Sequence, residues 1–149
     1  SRPSTAVLTE VEGESRFVST TRHPDAAPIP GLMVYRFSAP LFFANSAFFR
    51  EQVEDLVETT HPPIQWFVLN AEAISDIDVT GAGTLKQVIR FLEQKGIRFA
   101  MSRVSHSLHR LLETYELLEV IDQDQIYSSN REVAQAFRSQ QLGINPLES

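Results

Sequence analysis

The sequence contains no cysteine, and this absence excludes several kinds of site at once. Disulfide bonds, thiolate metal ligands and thiol nucleophiles all require the missing side chain. A chain without disulfides is typical of a reducing compartment. We therefore expect a cytosolic environment and a fold that is stable without covalent cross-links.

Long hydrophobic runs and clusters of basic residues are also missing. A membrane-spanning helix needs roughly 20 apolar residues, and the uncharged run 37–49 is interrupted by Pro40 and Asn45. The 13 lysines and arginines stand singly in a chain of formal charge -6. We expect no membrane span within these residues and no nucleic acid as a partner.

The 149 residues, 42% of them hydrophobic and 21% charged, have the size and composition of one globular domain. We divide this single domain into an N-terminal hairpin with a proline-rich approach (1–30), a compact body (31–141) and a tail (142–149). The chain begins with Ser1 and has no signal-peptide pattern. We expect it to be a piece of a longer protein.

Predicted strands alternate with predicted helices along the body. Near-continuous apolar runs predict strands at 32–37, 64–69 and 97–101, with a short one at 126–127. The intervening segments have helical spacing of apolar residues. Such alternation predicts an α/β fold with a central mixed, mostly parallel sheet of about four to five strands and about four flanking helices.

Several local signals set the expected ends of these elements. Segments 6–11 and 16–20 predict a hairpin around Gly13, with the first segment at a sheet edge. Asn45 or Ser46 is the expected cap of the first helix. Gly96 is expected to end the second helix, and the pair Ser129 and Glu132 predicts a capping box for the last. The residues after Gly143 are expected to fray.

The segment 73–85, AISDIDVTGAGTL, is the most informative stretch, because aspartates and a threonine precede small residues at a strand-to-helix turn. The amides of a helix N-terminus suit an anion or phosphate, although Asp78 or Thr80 can simply cap the helix. The candidate regulatory, anion-binding or partner-binding turn consists of Asp76, Asp78, Val79, Thr80, Gly81, Ala82 and Gly83.

Enzymatic alternatives lack the residues that they need. Lys86 stands where a dinucleotide fingerprint requires a third glycine. Asp76 and Asp78 have no histidine or lysine tied to them by sequence for acid–base work. His106 and His109 share a predicted helix face with Glu113, but no fourth metal ligand is evident. We therefore predict no catalytic residues, no metal and no cofactor.

Five of the ten phenylalanines fall within 37–49. An aromatic core between strand and helix explains most of them, and a partner-binding patch is the alternative. Phe42 and Phe43 are the candidates for an interface with a membrane section or a second subunit. The other three are Phe37, Phe48 and Phe49.

Four segments together resemble the STAS domain that closes bacterial sulfate permease (SulP) family transporters. They are IPGLMVYRF (29–37), APLFFANSAFFREQV (39–53), WFVLNAEAISDIDVTGAGTL (66–85) and GIRFAMSRV (96–104), within a similarity over about 16–138. The resemblance implies a STAS-like fold whose first strand pair is antiparallel.

The same resemblance implies a function. The domain would follow a long transmembrane section and lie at the cytoplasmic face of the membrane as a regulatory and assembly module. Its partners would be its own transport domain, a second copy in a homodimer, and a regulatory protein or a weakly bound nucleotide or anion. Sulfate, bicarbonate and dicarboxylates are all open as the transported anion.

The STAS fold also resembles anti-sigma factor antagonists, in which a serine directly after the turn aspartate is phosphorylated. Val79 occupies that position here, and Thr80 matches only the second hydroxyl of their Asp-Ser-Ser-Gly pattern. Valine has no hydroxyl to accept a phosphate, which favours the transporter branch. A free-standing partner-switching protein that uses Thr80 is the alternative.

Overall fold

The computed structural model describes residues 2–14 and 16–143. Strands and helices alternate as the sequence predicts. In chain order the elements are β1 (Ser4–Glu10), β2 (Phe17–Ser19), β3 (Leu32–Ser38), α1 (Phe43–Thr59), β4 (Trp66–Asn70), α2 (Val79–Gln94), β5 (Arg98–Ser102), α3 (His106–Thr114), β6 (Ile126–Tyr127) and α4 (Asn130–Gln141). Two short 3₁₀ turns, Leu117–Glu119 and Gln123–Gln125, lie between α3 and β6.

All six strands belong to one sheet in the order β2-β1-β3-β4-β5-β6. β3, β4, β5 and β6 are parallel, and β1 runs antiparallel to both of its neighbours. The α/β class and the mixed, mostly parallel sheet are therefore confirmed. The strand count exceeds the predicted four to five because both strands of the hairpin join the sheet.

β1 is not the edge strand that the sequence suggested. It pairs with β2 on one side and, over five residue pairs from Ser4↔Ser38 to Leu8↔Val34, with β3 on the other. The hairpin therefore belongs to the same sheet as the body that follows it. Pairing between strands distant in sequence depends on tertiary packing, which a local pattern does not record.

The sheet is buried on both faces, as the apolar strands predict. Tyr35, Phe37 and Phe67 point to the side covered by α1, α2 and α3. Val34 and Val68 point to the other side, where Val133 and Phe137 of α4 cover them. Three helices thus cover one face and a single helix covers part of the other.

Gly96 and Ser129 stand at the ends of α2 and α4 where the sequence predicts them, but the predicted capping box of α4 is only half formed. Gly96 has φ +72 and follows the last turn of α2, with its amide donating to Glu93 O at 3.0 Å. Glycine accommodates this left-handed backbone without strain. Ser129 Oγ accepts from Glu132 N at 3.1 Å, but the Glu132 carboxylate accepts from Ser128 N rather than from Ser129 N.

α1 begins at Phe43, two or three residues before the caps that the sequence suggested. Asn45 lies inside the first turn, where its Oδ1 accepts from Phe42 N at 3.0 Å and its Nδ2 donates to Pro40 O at 2.8 Å. Asn45 therefore ties the preceding loop to the helix. The prediction for the tail falls mostly on 144–149, outside the described residues.

The crowded phenylalanines divide between core and surface. Phe37 and Phe49 are fully buried and meet edge to face with ring centroids 5.3 Å apart. Phe42 and Phe48 are half-buried. Phe43 is 74% exposed. The core explanation holds for Phe37 and Phe49, and Phe43 is available to a partner.

Replacing Phe49 by alanine should lower the free energy of unfolding by about 3 to 5 kcal/mol, because the ring leaves a cavity between β3 and α1. Replacing the exposed Phe43 by alanine should change it by less than about 0.5 kcal/mol. Urea denaturation of both variants measures the difference. Equal decreases in the free energy of unfolding would contradict the assignment of Phe49 to the core and Phe43 to the surface.

Candidate functional site

The loops after β3 and β4 meet at the carboxyl end of the parallel sheet. Leu41 N donates to Asp76 O at 3.0 Å, and Asp78 N donates to Leu41 O at 3.2 Å, which makes a short parallel bridge between Leu41 and Ile77. Each loop leads directly into a helix. The N-termini of α1 and α2 are therefore held side by side, and we call residues 41–43 and 76–83 the helix corner.

The Asp78 carboxylate links the two helices. Asp78 is the N-cap of α2, and its Oδ1 accepts from Gly81 N at 2.7 Å. Its Oδ2 accepts from Phe43 N at 3.0 Å, at the first residue of α1. These amides, Gly81 first and Phe43 next, hold the pKa of the Asp78 carboxyl below its ordinary value of 3.8.

Gly81 makes the close approach of the two loops possible. A Cβ added to Gly81 would lie 2.0 Å from the carbonyl oxygen of Leu41 and 2.8 Å from its carbonyl carbon. Backbone atoms that are held in a bridge cannot move aside easily. The glycine is therefore required by space, whereas Gly83 has no atom within 4 Å of such a Cβ.

Two backbone amides at the start of α2, which the sequence analysis considered as anion donors, already have hydrogen-bond partners within the chain. Gly81 N donates to the Asp78 carboxylate, and Ala82 N donates to Asp78 O at 2.9 Å. The capping group is itself negative and would repel a second anion. The amides of Gly81 and Ala82 are therefore already engaged by Asp78.

Two large hydrophobic side chains are exposed at the helix corner. Phe43 is 74% exposed and Val79 is 70% exposed, although their neighbours Leu41 and Ile77 are buried. Both begin helices whose N-termini share the Asp78 carboxylate. Among the described residues, Leu142 is the only other large hydrophobic side chain with such exposure. The corner therefore presents an apolar surface on a rigid support.

The remaining turn residues offer no paired catalytic groups. Asp76 is exposed and its Oδ1 accepts from Ile77 N at 2.8 Å, while both oxygens of Asp78 are engaged. Thr80 is exposed on the first turn of α2.

His106 and His109 lie on α3, but in the part of the chain that the structure describes no group of three or more acidic or histidine side chains could hold a metal.

A buried polar cluster lies at the ends of β4 and β5, and the sequence analysis did not predict it. Asn70 Nδ2 donates to Ser102 Oγ and to Asn130 Oδ1, both at 3.2 Å, and Ser102 Oγ donates to Asn130 Oδ1 at 2.6 Å. The cluster ties both strand ends to the first turn of α4. A polar residue closing each of two apolar strands is the signal that could have revealed it.

Within 2–14 and 16–143, no helix combines the length and apolar character needed to cross a bilayer.

The STAS domain family model matches residues 23–133. A probable sulfate transporter of Mycobacterium tuberculosis is 38% identical over 136 residues, which are 91% of this chain and 24% of that protein. Sulfate transporter 1.3 of Arabidopsis thaliana is 26% identical over 85% of this chain and 20% of its own length. The chain thus spans about a quarter of these relatives or less.

Solved structures share the fold. The murine Solute Carrier 26 family member A9 anion transporter superposes with a TM-score of 0.82 at 19% identity, over 91% of this chain and 22% of that one. The SulP transporter STAS domain of Vibrio cholerae superposes with a TM-score of 0.65 at 19% identity, over 83% of this chain and 93% of that one. The anti-sigma factor antagonist SpoIIAA, in its unphosphorylated form, superposes with a TM-score of 0.54 at 15% identity, over 75% of this chain and 94% of that one.

The chain belongs to the STAS domain family. Its resemblance to the STAS domains of sulfate permease family transporters is confirmed by its relatives.

Gly81→Ala should destabilise the domain by about 2 kcal/mol or more, because the new methyl group collides with the Leu41 carbonyl. Gly83→Ala is the matched control on the same helix and should be neutral or stabilising by up to about 1 kcal/mol. Chemical denaturation gives both values. A Gly81→Ala variant as stable as Gly83→Ala would contradict the close packing of the corner.

Asp78→Asn should lower stability at neutral pH, and the deficit should shrink in acid. Because the folded-state pKa of Asp78 is depressed, its contribution is complete above the unfolded value near 4 and is lost as the pH falls through the folded value. Urea midpoints at pH 7 and pH 3 test this. Asp55→Asn, on the exposed side of α1, is the control and should show no such convergence.

Proposed function

We propose that this chain is the cytoplasmic regulatory and assembly domain of a membrane anion transporter, and that it acts through protein–protein contacts without catalysis. The observation that carries the proposal is the pair of exposed apolar side chains, Phe43 and Val79, on the helix corner. Exposed apolar residues that lie at one end of a domain are candidates for contact with a partner.

Rigidity of the corner supports a docking role. The bridge between Leu41 and Ile77 and the shared Asp78 carboxylate fix both helix N-termini before any partner binds. A preorganised surface loses little conformational entropy on association, so more of the contact energy is available for binding. Aromatic residues in such positions often dominate the energetics of an interface.

The partner that we propose is the transporter's own membrane section. The relatives are sulfate transporters, and each is about four or five times as long as the matched segment. A domain that regulates flux must contact the part that carries the anion. We propose a homodimer for the full-length protein as well, with sulfate, bicarbonate or a dicarboxylate as the anion.

Engagement of the polar groups supports a non-enzymatic role. Both oxygens of Asp78 accept backbone amides, and Asp76 accepts its neighbour's amide. General acid–base work needs a titratable group that is free to reach a substrate in a cleft. The turn instead uses its carboxylates to fix the backbone.

A partner-switching protein is the second candidate, favoured by the fold shared with SpoIIAA and by the exposed hydroxyl of Thr80. The position directly after the capping aspartate is nevertheless Val79, which is exposed and has no hydroxyl. A phosphate on Thr80 would also stand beside the negative Asp78 carboxylate. The transporter assignment is therefore preferred.

In the full-length protein, replacing Phe43 and Val79 together by serine should reduce anion uptake severalfold, because the apolar contact with the membrane section is lost. Uptake of labelled sulfate into cells or vesicles, normalised to the amount of protein in the membrane, measures the effect. Neither substitution should alter the circular dichroism of the isolated domain, since both side chains are exposed.

Leu142→Ser is the matched control, because Leu142 is equally exposed but lies beyond α4. Uptake that falls as much in this control as in the double variant would contradict a specific role for the corner. A native reading frame with no apolar segments ahead of Ser1 would contradict the transporter assignment itself.

A further inference from the structure

A second surface feature lies away from the helix corner, where the hairpin meets the central sheet. It is a solvent-open pocket of about 360 Å³ between β1, β2, the loop that follows β2, and Arg36 of β3. None of its lining residues belongs to α4, which covers the rest of this sheet face. The lining consists of Ser4, Thr5, Ala6, Val18, Ser19, Thr21, Arg22, His23 and Arg36.

The pocket is cationic in an acidic domain. Arg22, His23 and Arg36 line it and no aspartate or glutamate does, although the chain has formal charge -6. Arg22 and His23 also border a neighbouring depression that contains Glu12 and Asp25. Arg36 lines the pocket without carboxylates and does not line that neighbouring depression.

Arg36 differs from the other charged residues that stand in strands. Glu10 pairs with Arg138 at 3.1 Å, and Arg98 lies 3.8 Å from Asp124. Arg36 is half-buried in an interior strand and has no ion partner among the described residues. The Arg36 guanidinium faces the solvent-open pocket without a carboxylate partner among the described residues, so it is free to meet an anion from solution.

Hydroxyl groups complete the donor set. Ser19 Oγ and Thr21 Oγ1 lie 2.9 Å apart in a hydrogen bond that either can donate. Only one of the two protons is used in that bond, so the pair retains a hydroxyl that can donate to a third atom. Ser4 adds one more hydroxyl to the lining, whereas the Thr5 side chain is hydrogen-bonded with Tyr35 on the other face of the sheet. Guanidinium and hydroxyl donors together suit the oxygens of an anion.

We infer that this pocket binds an oxyanion group, with Arg36 as its principal ligand and Arg22 as the second. The group is a sulfate or phosphate, either free in solution or carried by a lipid headgroup. The pocket is larger than one such ion, so water occupies the remaining volume. The pocket shares no lining residue with the helix corner. The inference therefore does not depend on the proposed function.

Titration of the 149-residue chain with sodium sulfate, followed by amide chemical shifts, tests the free-ion form against sodium chloride at equal ionic strength. We expect sulfate-specific shifts at residues 18–23 and 35–37. Arg36→Gln should weaken the affinity about tenfold or more, because one charge-assisted contact is lost. Arg110→Gln, an exposed arginine of α3 with no described ion partner, should leave it unchanged.

Flotation with phosphatidylglycerol vesicles, compared with phosphatidylcholine vesicles, tests the lipid form. Retention that depends on Arg36 and Arg22, without a sulfate response, assigns the site to a headgroup phosphate. A sulfate response without retention assigns it to a free ion. Arg22→Gln lies on an exposed loop and carries the test if Arg36→Gln does not fold.

Three results would overturn the inference. One is an equal response to sulfate and chloride together with no dependence of vesicle binding on Arg36 or Arg22. Another is a loss of affinity in Arg110→Gln as large as in Arg36→Gln. The third is a set of sulfate shifts centred on 79–83, which would place the anion at the α2 N-terminus instead.

Discussion

One carboxylate holds the two helix N-termini of the helix corner together. The Asp78 side chain accepts amides from the first turns of two helices, and it does so where the loops after β3 and β4 are joined by a two-bond bridge. Each helix N-terminus has unsatisfied donors and a partial positive charge, so a single negative group stabilises both. The shared cap depends on Gly81, since any side chain there would push Leu41 away.

This arrangement explains how hydrophobic residues can be exposed without loosening the fold. The backbone of Phe43 is fixed by the hydrogen bond that its amide donates to the Asp78 carboxylate, and Val79 directly follows the capping residue. Their side chains contribute little to the core, while Phe37 and Phe49 nearby fill it. Neighbouring residues of one segment thus differ, since some fill the core and others face solvent.

The two sheet faces are covered unequally, and this has consequences for binding. α1, α2 and α3 cover one face, but α4 alone covers the other. The polar cluster of Asn70, Ser102 and Asn130 ends the apolar packing beneath α4. Arg36 of β3 lies beside Asn70 of β4 in the strand register. The line of neighbouring residues across the sheet therefore leads from the polar cluster to the cationic pocket. On this sheet face the apolar packing beneath α4 is therefore followed by the polar cluster and then by the solvent-open pocket.

The sequence by itself determined the features that depend on local patterns. Apolar runs identified β3, β4 and β5, and helical spacing identified the helices between them. Asp78 as a cap and Gly96 as a helix end followed from the chemistry of single residues. Recognition of the STAS pattern also needed only the order of these segments.

Tertiary structure alone decided which parts meet. No local pattern shows that β1 lies between β2 and β3, that Asp78 reaches the amide of Phe43 35 residues earlier, or that Gly81 faces the Leu41 carbonyl. Which phenylalanine of 37–49 is exposed, and which residues line the pocket around Arg36, are equally properties of the packed chain. These features arise from contacts between segments far apart in sequence, and such contacts are fixed only when the whole sheet assembles.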